Sequence, residues 1–289
     1  MSAARSGARR LRSLLSVPGG SERFVAKATG VAADGIAFDL EDSVAPADKE
    51  AARRLVASTL PVFPSGGRQL WVRPNALDSG LLEADLEAVV GPELYGLHLP
   101  KVDDTETLLQ VDHYLTYLER VRGLPSGAVR LMAWIESPAG LGRVEEICRA
   151  TGRLDGVSLG SEDYTTALGV QRTAEGGELR YARARLANAA AAAGIGSLDG
   201  PEVNFRDREL FRSQASLARA AGLGGKFCIH PDQVVLAHEV FAAGEAERAW
   251  ARRVVEAFEA LGENGGAISV DGAMVDRPVY LRALRVLEC

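Results

Sequence analysis

Residues 35–42 read Gly-Ile-Ala-Phe-Asp-Leu-Glu-Asp, a short apolar run that ends in acidic side chains. A helix-like segment follows this run, and the same order of strand and helix recurs eight times along the chain. Eight such units predict an α/β fold, the (β/α)8 or TIM barrel. The predicted strands are residues 11–17, 35–40, 69–72, 95–99, 130–135, 156–159, 195–198 and 226–229.

Polar side chains capable of chemistry follow the predicted strands. In a barrel of parallel strands, the carboxyl ends of all strands open on one rim, where barrel enzymes keep their catalytic groups. Residues that are far apart in the sequence can therefore share one pocket. The strand-end residues are Pro18, Gly19, Asp39, Glu41, Asp42, Arg73, Lys101, Glu136, Glu162, Asp163, Asp199 and His230.

The charge and the apolar pattern argue against two classes of partner. The net charge of the 289-residue chain is −6 at pH 7, whereas a nucleic-acid partner requires a basic face. No apolar run approaches the roughly 18 to 20 residues that are needed to span a bilayer. We therefore expect a small-molecule ligand, with no nucleic acid and no membrane as partner.

The cysteines and the amino-terminal residues bear on the location of the protein. Cys148, Cys228 and Cys289 are odd in number and form no C-x-x-C pair, which is typical of a reduced cytosolic enzyme. Residues 1–12 carry four arginines and no acid, as some transit peptides do, but they contain no apolar stretch. We interpret them as a short disordered lead-in and expect a cytoplasmic protein.

The organisation of the sequence changes near its carboxyl end. Residues 236–261 form a long amphipathic stretch rich in Ala and Glu, and Asn264-Gly265-Gly266 is a flexible break. Beyond it, Asp271-Gly272 between two short apolar runs is a strong hairpin signal, and Pro278 opens a short helix that ends near Leu287. These features predict a barrel domain over residues 1–243 and a C-terminal helix and lid arm over residues 244–289.

Two carboxylates are the strongest candidates for a metal site. Glu136 and Asp163 lie at or just beyond the ends of consecutive predicted strands, so their side chains can approach each other. Such a pair shares a proton, forms an acid/base couple, or binds a hard cation such as Mg2+, which prefers oxygen ligands and keeps several waters. The Mg2+ interpretation fits best. In the structural alternative, Glu136 caps the helix that begins near Pro138, and Asp163 sits in a surface turn.

Arg73 stands at a strand end, where Pro74 prevents the strand from continuing. Its guanidinium can donate hydrogen bonds to a carboxylate or a thioester oxygen of a substrate. The alternative is an ion pair with the acids of residues 39–42, and Lys101 has the same two interpretations, with the structural one favoured. Those acids, Glu41 among them, repel one another at a buried rim unless a cation, an Arg or a Lys neutralises them.

The turn over residues 16–21 ends the first strand and opens a helix. Its backbone N–H groups could cradle a phosphate at the positive end of that helix, and Arg23 and Lys27 would add charge. The signal is weak, because any barrel needs such a turn, and this one matches neither a Walker loop nor a dinucleotide fingerprint. His230 is interpreted as a structural rim residue, and no zinc site is predicted.

Short motifs that bear on function lie in order along nearly the whole chain. They are residues 12–19 (RSLLSVPG), 38–44 (FDLEDSV), 99–102 (LPKV), 134–137 (WIES), 159–164 (LGSEDY), 229–231 (IHP) and 274–278 (MVDRP). Together they resemble the HpcH/HpaI aldolase and citrate lyase family, in the branch that contains the citrate lyase beta subunit and free-standing malyl-CoA and citramalyl-CoA lyases. The resemblance implies a TIM barrel that assembles into homotrimers or hexamers.

The resemblance also implies roles for particular residues. Glu136 and Asp163 match the family's Mg2+ ligands, and Arg73 matches the arginine that contacts the substrate oxygens. Arg23 and Lys27 fall in the helix that meets coenzyme A phosphates, although residues 20–22 depart from the usual family sequence and leave the coenzyme A contacts open.

The carboxyl-terminal segment carries a further match. Asp276 corresponds to an aspartate of the family's C-terminal lid, which in several members completes the active site of a neighbouring subunit.

These features predict a Mg2+-dependent lyase that cleaves a carbon–carbon bond of a hydroxyacyl-CoA thioester such as malyl-CoA or citramalyl-CoA. Three alternatives stay open: a citrate lyase beta subunit acting on a carrier-bound thioester, a thioester-free pyruvate-type aldolase, and a noncatalytic ligand-binding or assembly protein. The predicted site residues are Arg73, Asp276 and Glu41 for catalysis, Arg23, Lys27, Pro18 and Gly19 for coenzyme A, and Glu136 and Asp163 for the metal.

Overall fold

The structure, a computed structural model, describes residues 11–261 and 266–288. Eight parallel strands form a closed barrel in which each strand pairs with the next and the last pairs with the first. The predicted fold class is therefore confirmed, and every strand end lies within two residues of its predicted position. The strands are β1 (Ser13–Pro18), β2 (Gly35–Asp39), β3 (Gln69–Arg73), β4 (Gly96–Leu99), β5 (Arg130–Ile135), β6 (Leu154–Leu159), β7 (Gly196–Asp199) and β8 (Gly225–Cys228).

At least one helix follows every strand, as the alternating pattern of the sequence predicts. The helices are α1 (Glu22–Ala28), α2 (Lys49–Thr59), α3 (Leu82–Val89), α4 (Thr105–Arg122), α5 (Pro138–Gly142), α6 (Val144–Ile147), α7 (Ser161–Leu168), α8 (Arg180–Ala193), α9 (Arg208–Ala220), α10 (Pro231–Phe241), α11 (Glu245–Glu259) and α12 (Arg277–Leu287).

Large side chains from several strands fill the inside of the barrel. Because side chains alternate between the two faces of a strand, one face of each strand supplies this core. Trp71 takes much of the space, and Gly96 on the next strand makes room for it, since a Cβ at Gly96 would lie 2.6 Å from the Trp71 ring. The core cluster consists of Leu14, Ala37, Trp71, Met132, Trp134, Leu198 and Phe227.

The long amphipathic stretch over residues 236–261 forms two helices. Helix α10 ends at Phe241 and helix α11 begins at Glu245. Gly244 stands between them with an extended backbone (φ −68°, ψ 161°). Glycine is a poor helix former, so amphipathic residues on both sides of it do not join into a single helix.

The chain divides into two compact units, residues 1–239 and residues 240–289. The division falls four residues before the predicted boundary between residues 243 and 244. The predicted assignment of these parts as a barrel domain and a lid arm stays a prediction. Residues 264 and 265 of the predicted flexible break, and residues 1–10 of the predicted lead-in, lie outside the described residues.

The C-terminal unit has its own small core. Strands β9 (Ile268–Val270) and β10 (Ala273–Val275) form an antiparallel hairpin around Asp271-Gly272, as the sequence predicts. Helix α12 then covers the predicted final helix. The buried residues that form this core are Ala251, Val254, Val270, Val275 and Ala283.

Within residues 11–261 and 266–288, no helix has both the length and the apolar character that a membrane crossing requires.

A buried ion network joins the last two barrel strands. Asp199 at the end of β7 is fully buried and accepts hydrogen bonds of 2.9 and 3.0 Å from Arg183 and of 2.5 Å from Lys226 Nζ. Burial raises the pKa of Asp199, but Lys226 and Arg183 lower it by more, so its pKa lies below its ordinary value. Asp199, one of the predicted rim residues, therefore serves the packing of the barrel wall.

We expect Asp199→Ala to lower the free energy of unfolding by about 3–5 kcal/mol, because it leaves two buried cations without their carboxylate. Urea denaturation measures this loss. Glu50→Ala is the control, since the ion pair of Glu50 with Arg54 is exposed and contributes at most about 0.5 kcal/mol. Equal losses in the two variants would contradict the structural role of Asp199.

Candidate functional site

A cavity of about 410 Å3 opens at the carboxyl ends of the barrel strands. Its wall is built from residues at the ends of strands that are distant in the sequence, as expected for a barrel of parallel strands. The lining residues are Ser16, Pro18, Asp39, Asp42, Ser43, Arg73, Trp134, Gly160, Ser161, Glu162, Asp163, Pro201, Phe227 and Ile229. The cavity therefore contains the predicted residues Pro18, Arg73 and Asp163.

Arg73 forms a bidentate ion pair with Asp39. The register of the barrel sets Asp39 of β2 directly opposite Arg73 of β3. The Arg73 Nε and Nη2 atoms lie 2.7 and 2.6 Å from the two carboxylate oxygens of Asp39. The predicted ion pair with the acids of residues 39–42 is thus confirmed, and Arg73 also lines the cavity.

The ion pair keeps both groups charged although both are buried. Burial raises the pKa of Asp39, but the Arg73 charge lowers it by more, so the pKa of Asp39 lies below its ordinary value. Burial lowers the pKa of Arg73, and the carboxylates of Asp39, Glu41 and Asp42 raise it above its ordinary value. The guanidinium also stacks on Trp134, with its Cζ 4.8 Å from the ring centroid.

Glu41 lies between two cations. Its Oε2 lies 3.0 Å from Arg73 Nη1, and its Oε1 lies 3.2 Å from Lys101 Nζ. The structural interpretation of Lys101 as an ion-pair partner of these acids is therefore confirmed. Burial raises the pKa of Glu41, Arg73 lowers it, and Asp42 raises it, so that its pKa lies above its ordinary value.

Glu136 is buried at the end of β5 and does not cap the helix that follows. Ser137 caps α5 through the Gly140 N–H, at 2.9 Å. The Glu136 carboxylate instead accepts a hydrogen bond of 2.5 Å from the main-chain N–H of Lys101. The structural alternative of Glu136 as a helix cap is therefore wrong, because the adjacent serine hydroxyl takes that role.

Asp163 is exposed, as the structural alternative has it, but it lies in the first turn of α7 and lines the cavity. Burial raises the pKa of Glu136, the Lys101 N–H lowers it, and the nearby Asp163 and Glu41 raise it, to about 8 overall.

Gly160 permits the close approach of the end of β6 to the end of β5. A Cβ at Gly160 would lie 2.3 Å from the Glu136 Cβ, so only glycine fits there.

The carboxylate pair suits a Mg2+ ion. Burial first, and then the neighbouring Asp163, disfavour the ionised form of Glu136, and a cation shared by the two carboxylates would offset both effects. The described residues include no cluster of three or more His, Cys, Asp or Glu side chains that could hold a metal. Mg2+ accepts such a site, because one or two carboxylates with water and substrate oxygens complete its shell.

In the turn after β1, the main-chain N–H of Gly19 is not available to a phosphate. The Gly19 N–H donates to the Asp39 carbonyl oxygen at 2.8 Å, and the Ser21 N–H donates to the Pro18 carbonyl oxygen at 3.3 Å. Pro18 has no N–H. Pro18 and Gly19 therefore cannot bind coenzyme A phosphates through the backbone donors that the sequence suggested, although Pro18 still shapes the cavity wall.

Arg23, Lys27 and His230 do not line the cavity. Arg23 and Lys27 are exposed and four residues apart on α1, so they share one face of that helix. Asp276 belongs to the C-terminal unit, where its side chain caps α12 by accepting from the Val279 N–H at 3.3 Å. His230 stacks on Phe205, with ring centroids 5.2 Å apart. The functional roles of these residues stay predictions.

Trp134 and His98 were not among the predicted site residues. Trp134 lines the cavity, and its ring stacks on the buried His98, 4.4 Å between centroids. Burial lowers the pKa of His98 well below its ordinary value, and the Arg73 charge lowers it further, so the imidazole is neutral. Trp134 was detectable, because it precedes Glu136 by two residues and so shares its side of β5.

Comparison with known proteins places this chain among lyases. Residues 12–231 match the HpcH/HpaI aldolase/citrate lyase family. The chain is 38% identical over 278 residues to citrate lyase subunit beta of Leuconostoc mesenteroides subsp. cremoris, a similarity that covers 96% of this chain and 92% of that protein. It is 36% identical over 290 residues to L-malyl-CoA/beta-methylmalyl-CoA lyase of Cereibacter sphaeroides, with 93% and 91% covered.

A solved structure has the same architecture. It is the crystal structure of protein CitE from Mycobacterium tuberculosis in complex with magnesium, acetoacetate and coenzyme A. The two structures agree with a TM-score of 0.80 at 31% sequence identity, covering 96% of this chain and 97% of that chain.

We expect Mg2+ binding at neutral pH to release most of a proton. The pKa of Glu136 is about 8 without a cation, so its carboxyl group is largely protonated at neutral pH, and a cation bound by the carboxylate displaces that proton. Mg2+ affinity should therefore rise with pH until Glu136 is ionised. Calorimetric titrations in buffers of different ionisation enthalpy measure the released proton.

The control is the same titration at a pH well above the pKa of Glu136, where the proton release should vanish. A binding enthalpy that is independent of the buffer at neutral pH would contradict the raised pKa of Glu136.

Proposed function

Since this chain belongs to the HpcH/HpaI aldolase/citrate lyase family, we propose that it is a Mg2+-dependent lyase that cleaves a carbon–carbon bond of a hydroxyacyl-CoA thioester of the malyl-CoA or citramalyl-CoA type. The relatives confirm the family that the sequence motifs suggested, and they confirm that the enzyme class is carbon–carbon lyase. The acyl group and the residue roles are our proposal.

The observation that carries the proposal is the carboxylate pair beside a paired arginine. Glu136 and Asp163 lie close together at the mouth of the barrel, and Arg73 lines the same cavity. When bound, Mg2+ would acidify the substrate hydroxyl that it contacts and hold the 2-oxo acid product. Glu136 and Asp163 supply the oxygen ligands that this ion prefers.

Arg73 and Glu41 suit the bond-breaking step. Cleavage removes the hydroxyl proton, turns the hydroxyl carbon into a carbonyl carbon, and leaves the electrons of the broken bond as a thioester enolate. The Arg73 charge, already fixed by Asp39, can stabilise the developing oxyanion without reorganising. The pKa of Glu41 is raised toward neutral pH, which makes its carboxylate a stronger base. This suits Glu41 to accept the hydroxyl proton.

Asp276 is the proposed proton donor to the enolate carbon. The proposal rests on its match to the family's lid aspartate, and closure of a lid would keep water from the enolate. In this proposal, a homotrimer or hexamer in the cytoplasm brings the lid of one subunit to the barrel of another. Light scattering of the purified protein tests the assembly.

Coenzyme A in this proposal lies toward α1. Arg23 and Lys27 are exposed on one face of that helix and are available to phosphate groups. The protein of known structure with 31% identity was crystallised with coenzyme A and magnesium, which supports both the thioester and the metal.

A second candidate function is the beta subunit of a citrate lyase complex, favoured by the 38% identity to such a subunit. With this function, the chain would act on a thioester attached to an acyl-carrier partner. Copurification with partner subunits distinguishes the two functions, since a free-standing lyase turns over coenzyme A esters alone.

The direct test is cleavage of a panel of thioesters by the purified protein with Mg2+. We expect malyl-CoA, citramalyl-CoA or hydroxymethylglutaryl-CoA to yield acetyl-CoA and a 2-oxo acid or ketone, detected by mass spectrometry. The control reaction contains a chelator in place of Mg2+. Absence of cleavage of every ester would favour the carrier-dependent subunit or an aldolase that needs no thioester.

We expect Asp276→Asn to give a folded, Mg2+-binding and nearly inactive protein. Asn caps a helix as well as Asp does, so α12 is preserved while the carboxylate is lost. Loss of one positioned catalytic charge costs on the order of a hundredfold or more in rate. Steady-state rates on the cleaved thioester measure the loss.

Asp276→Ala is the matched variant, because it removes the helix cap as well as the carboxylate. Equal loss of activity in both variants, with a lower melting temperature only in the alanine variant, assigns the loss to chemistry. Full activity of Asp276→Asn would reject the lid role.

A further inference from the structure

We propose that Lys101 is a positioning residue whose main-chain N–H, held in place by a left-handed backbone, orients Glu136 for a divalent cation. The inference deepens the proposed function and rests on it, because it takes Glu136 as a metal ligand. The role belongs to the backbone of Lys101 more than to its charge.

The backbone of Lys101 is unusual. Its φ is +54°, in the left-handed region that L residues other than Gly, Asn and Asp rarely enter. Among residues 11–261 and 266–288, the other non-glycine residue with positive φ is Asp271, at +52°, in the hairpin turn. Asp271 is of a type that tolerates this region, and Lys101 is not. Such a conformation persists only where the surroundings enforce it, and it concentrates at functional sites.

The chain around Lys101 shows what enforces the conformation. Leu99 is the last β4 residue in register with β5, opposite Ala133. The Val102 N–H then returns to the Trp134 carbonyl oxygen at 3.2 Å. Pro100 has no N–H to offer to the sheet. The segment between the two points of contact is therefore one loop anchored to β5 at both ends.

Within this loop, the Lys101 N–H donates to Glu136 Oε1 at 2.5 Å. Glu136 is 6% exposed, so water competes little for this hydrogen bond. A hydrogen bond from a fixed donor to a buried carboxylate fixes the direction of its second oxygen as well. Loss of a group that orients a metal ligand in this way typically costs about 10- to 100-fold in metal affinity or activity.

The side chain of Lys101 contributes less. Its Nζ lies 3.2 Å from Glu41, but the side chain is 54% exposed, so water and salt screen this ion pair. Glu41 also has Arg73 at 3.0 Å as a second, buried cation. Removal of the lysine charge alone therefore leaves Glu41 paired and leaves the hydrogen bond to Glu136 intact.

Substitutions of Lys101 test whether its backbone or its charge matters. All of them remove the charge, but they differ in how well the new residue tolerates the left-handed region. Lys101→Gly and Lys101→Asn remove the amine and accept the left-handed region, whereas Lys101→Val and Lys101→Ile remove the amine and oppose that region. We expect the Mg2+ Kd, measured by calorimetry without substrate, to stay within about threefold of the unchanged protein for Gly and Asn, and to rise about tenfold or more for Val and Ile.

The matched control is at Asp271, which has the same backbone conformation in the other unit of the chain. Asp271→Val opposes the left-handed region and should lower the melting temperature while leaving the Mg2+ Kd unchanged. Circular dichroism checks that each variant folds. Should neither Lys101→Val nor Lys101→Ile fold, Lys101→Ala takes their place, because alanine lacks the tolerance of glycine and asparagine for this region.

A Mg2+ Kd that rises equally in all Lys101 variants would overturn the proposal, because the amine would then be the group that matters. A Kd unchanged in all of them would overturn it as well. Failure of the unchanged protein to bind Mg2+ would reject the metal site and thus the proposed function. An unchanged protein that binds Mg2+ and cleaves no thioester would reject the activity alone, while the Kd series still decides the role of Lys101.

Discussion

The ion pair between Asp39 and Arg73 is the interaction on which the mouth of the barrel depends. Acidic residues meet at the ends of β2, β5 and β6, and buried like charges do not stay ionised together without cations. Arg73 neutralises Asp39 through two hydrogen bonds and contacts Glu41 as well. Arg73 is paired with Asp39 and Glu41, and among the described residues no arginine forms an ion pair with Glu136 or Asp163, so a divalent cation suits this carboxylate pair.

The backbone contributes to the site as much as the side chains do. Gly160 allows β6 to approach so closely that any side chain there would overlap Glu136. The left-handed Lys101 turns its N–H onto the same carboxylate. Gly160 and the left-handed Lys101 thus fix the position of the Glu136 side chain. A site whose groups are fixed in advance in this way avoids reorganisation during reaction.

Much of the fold and part of the site were accessible from the sequence. The eight strands follow from apolar runs with polar ends, because the period of a strand and the spacing of a βα unit are local properties. The pairing of Arg73 with residues 39–42 followed from their positions at neighbouring strand ends. Gly244 shows the limit, since the amphipathic stretch over residues 236–261 did not by itself show where one helix ends at Phe241 and the next begins at Glu245.

The sequence by itself determined the barrel, the rim on which the charged residues meet, and the family to which the chain belongs, because these depend on local periodicity and on short motifs. The tertiary structure alone decided that Arg73 pairs with Asp39 through two hydrogen bonds, that Asp199 is buried between Arg183 and Lys226, and that Glu136 accepts from Lys101 while Ser137 caps the helix. It also showed that the Gly19 N–H is already used by Asp39. These outcomes depend on register and burial, which set distances between residues far apart in the chain and which no local pattern contains.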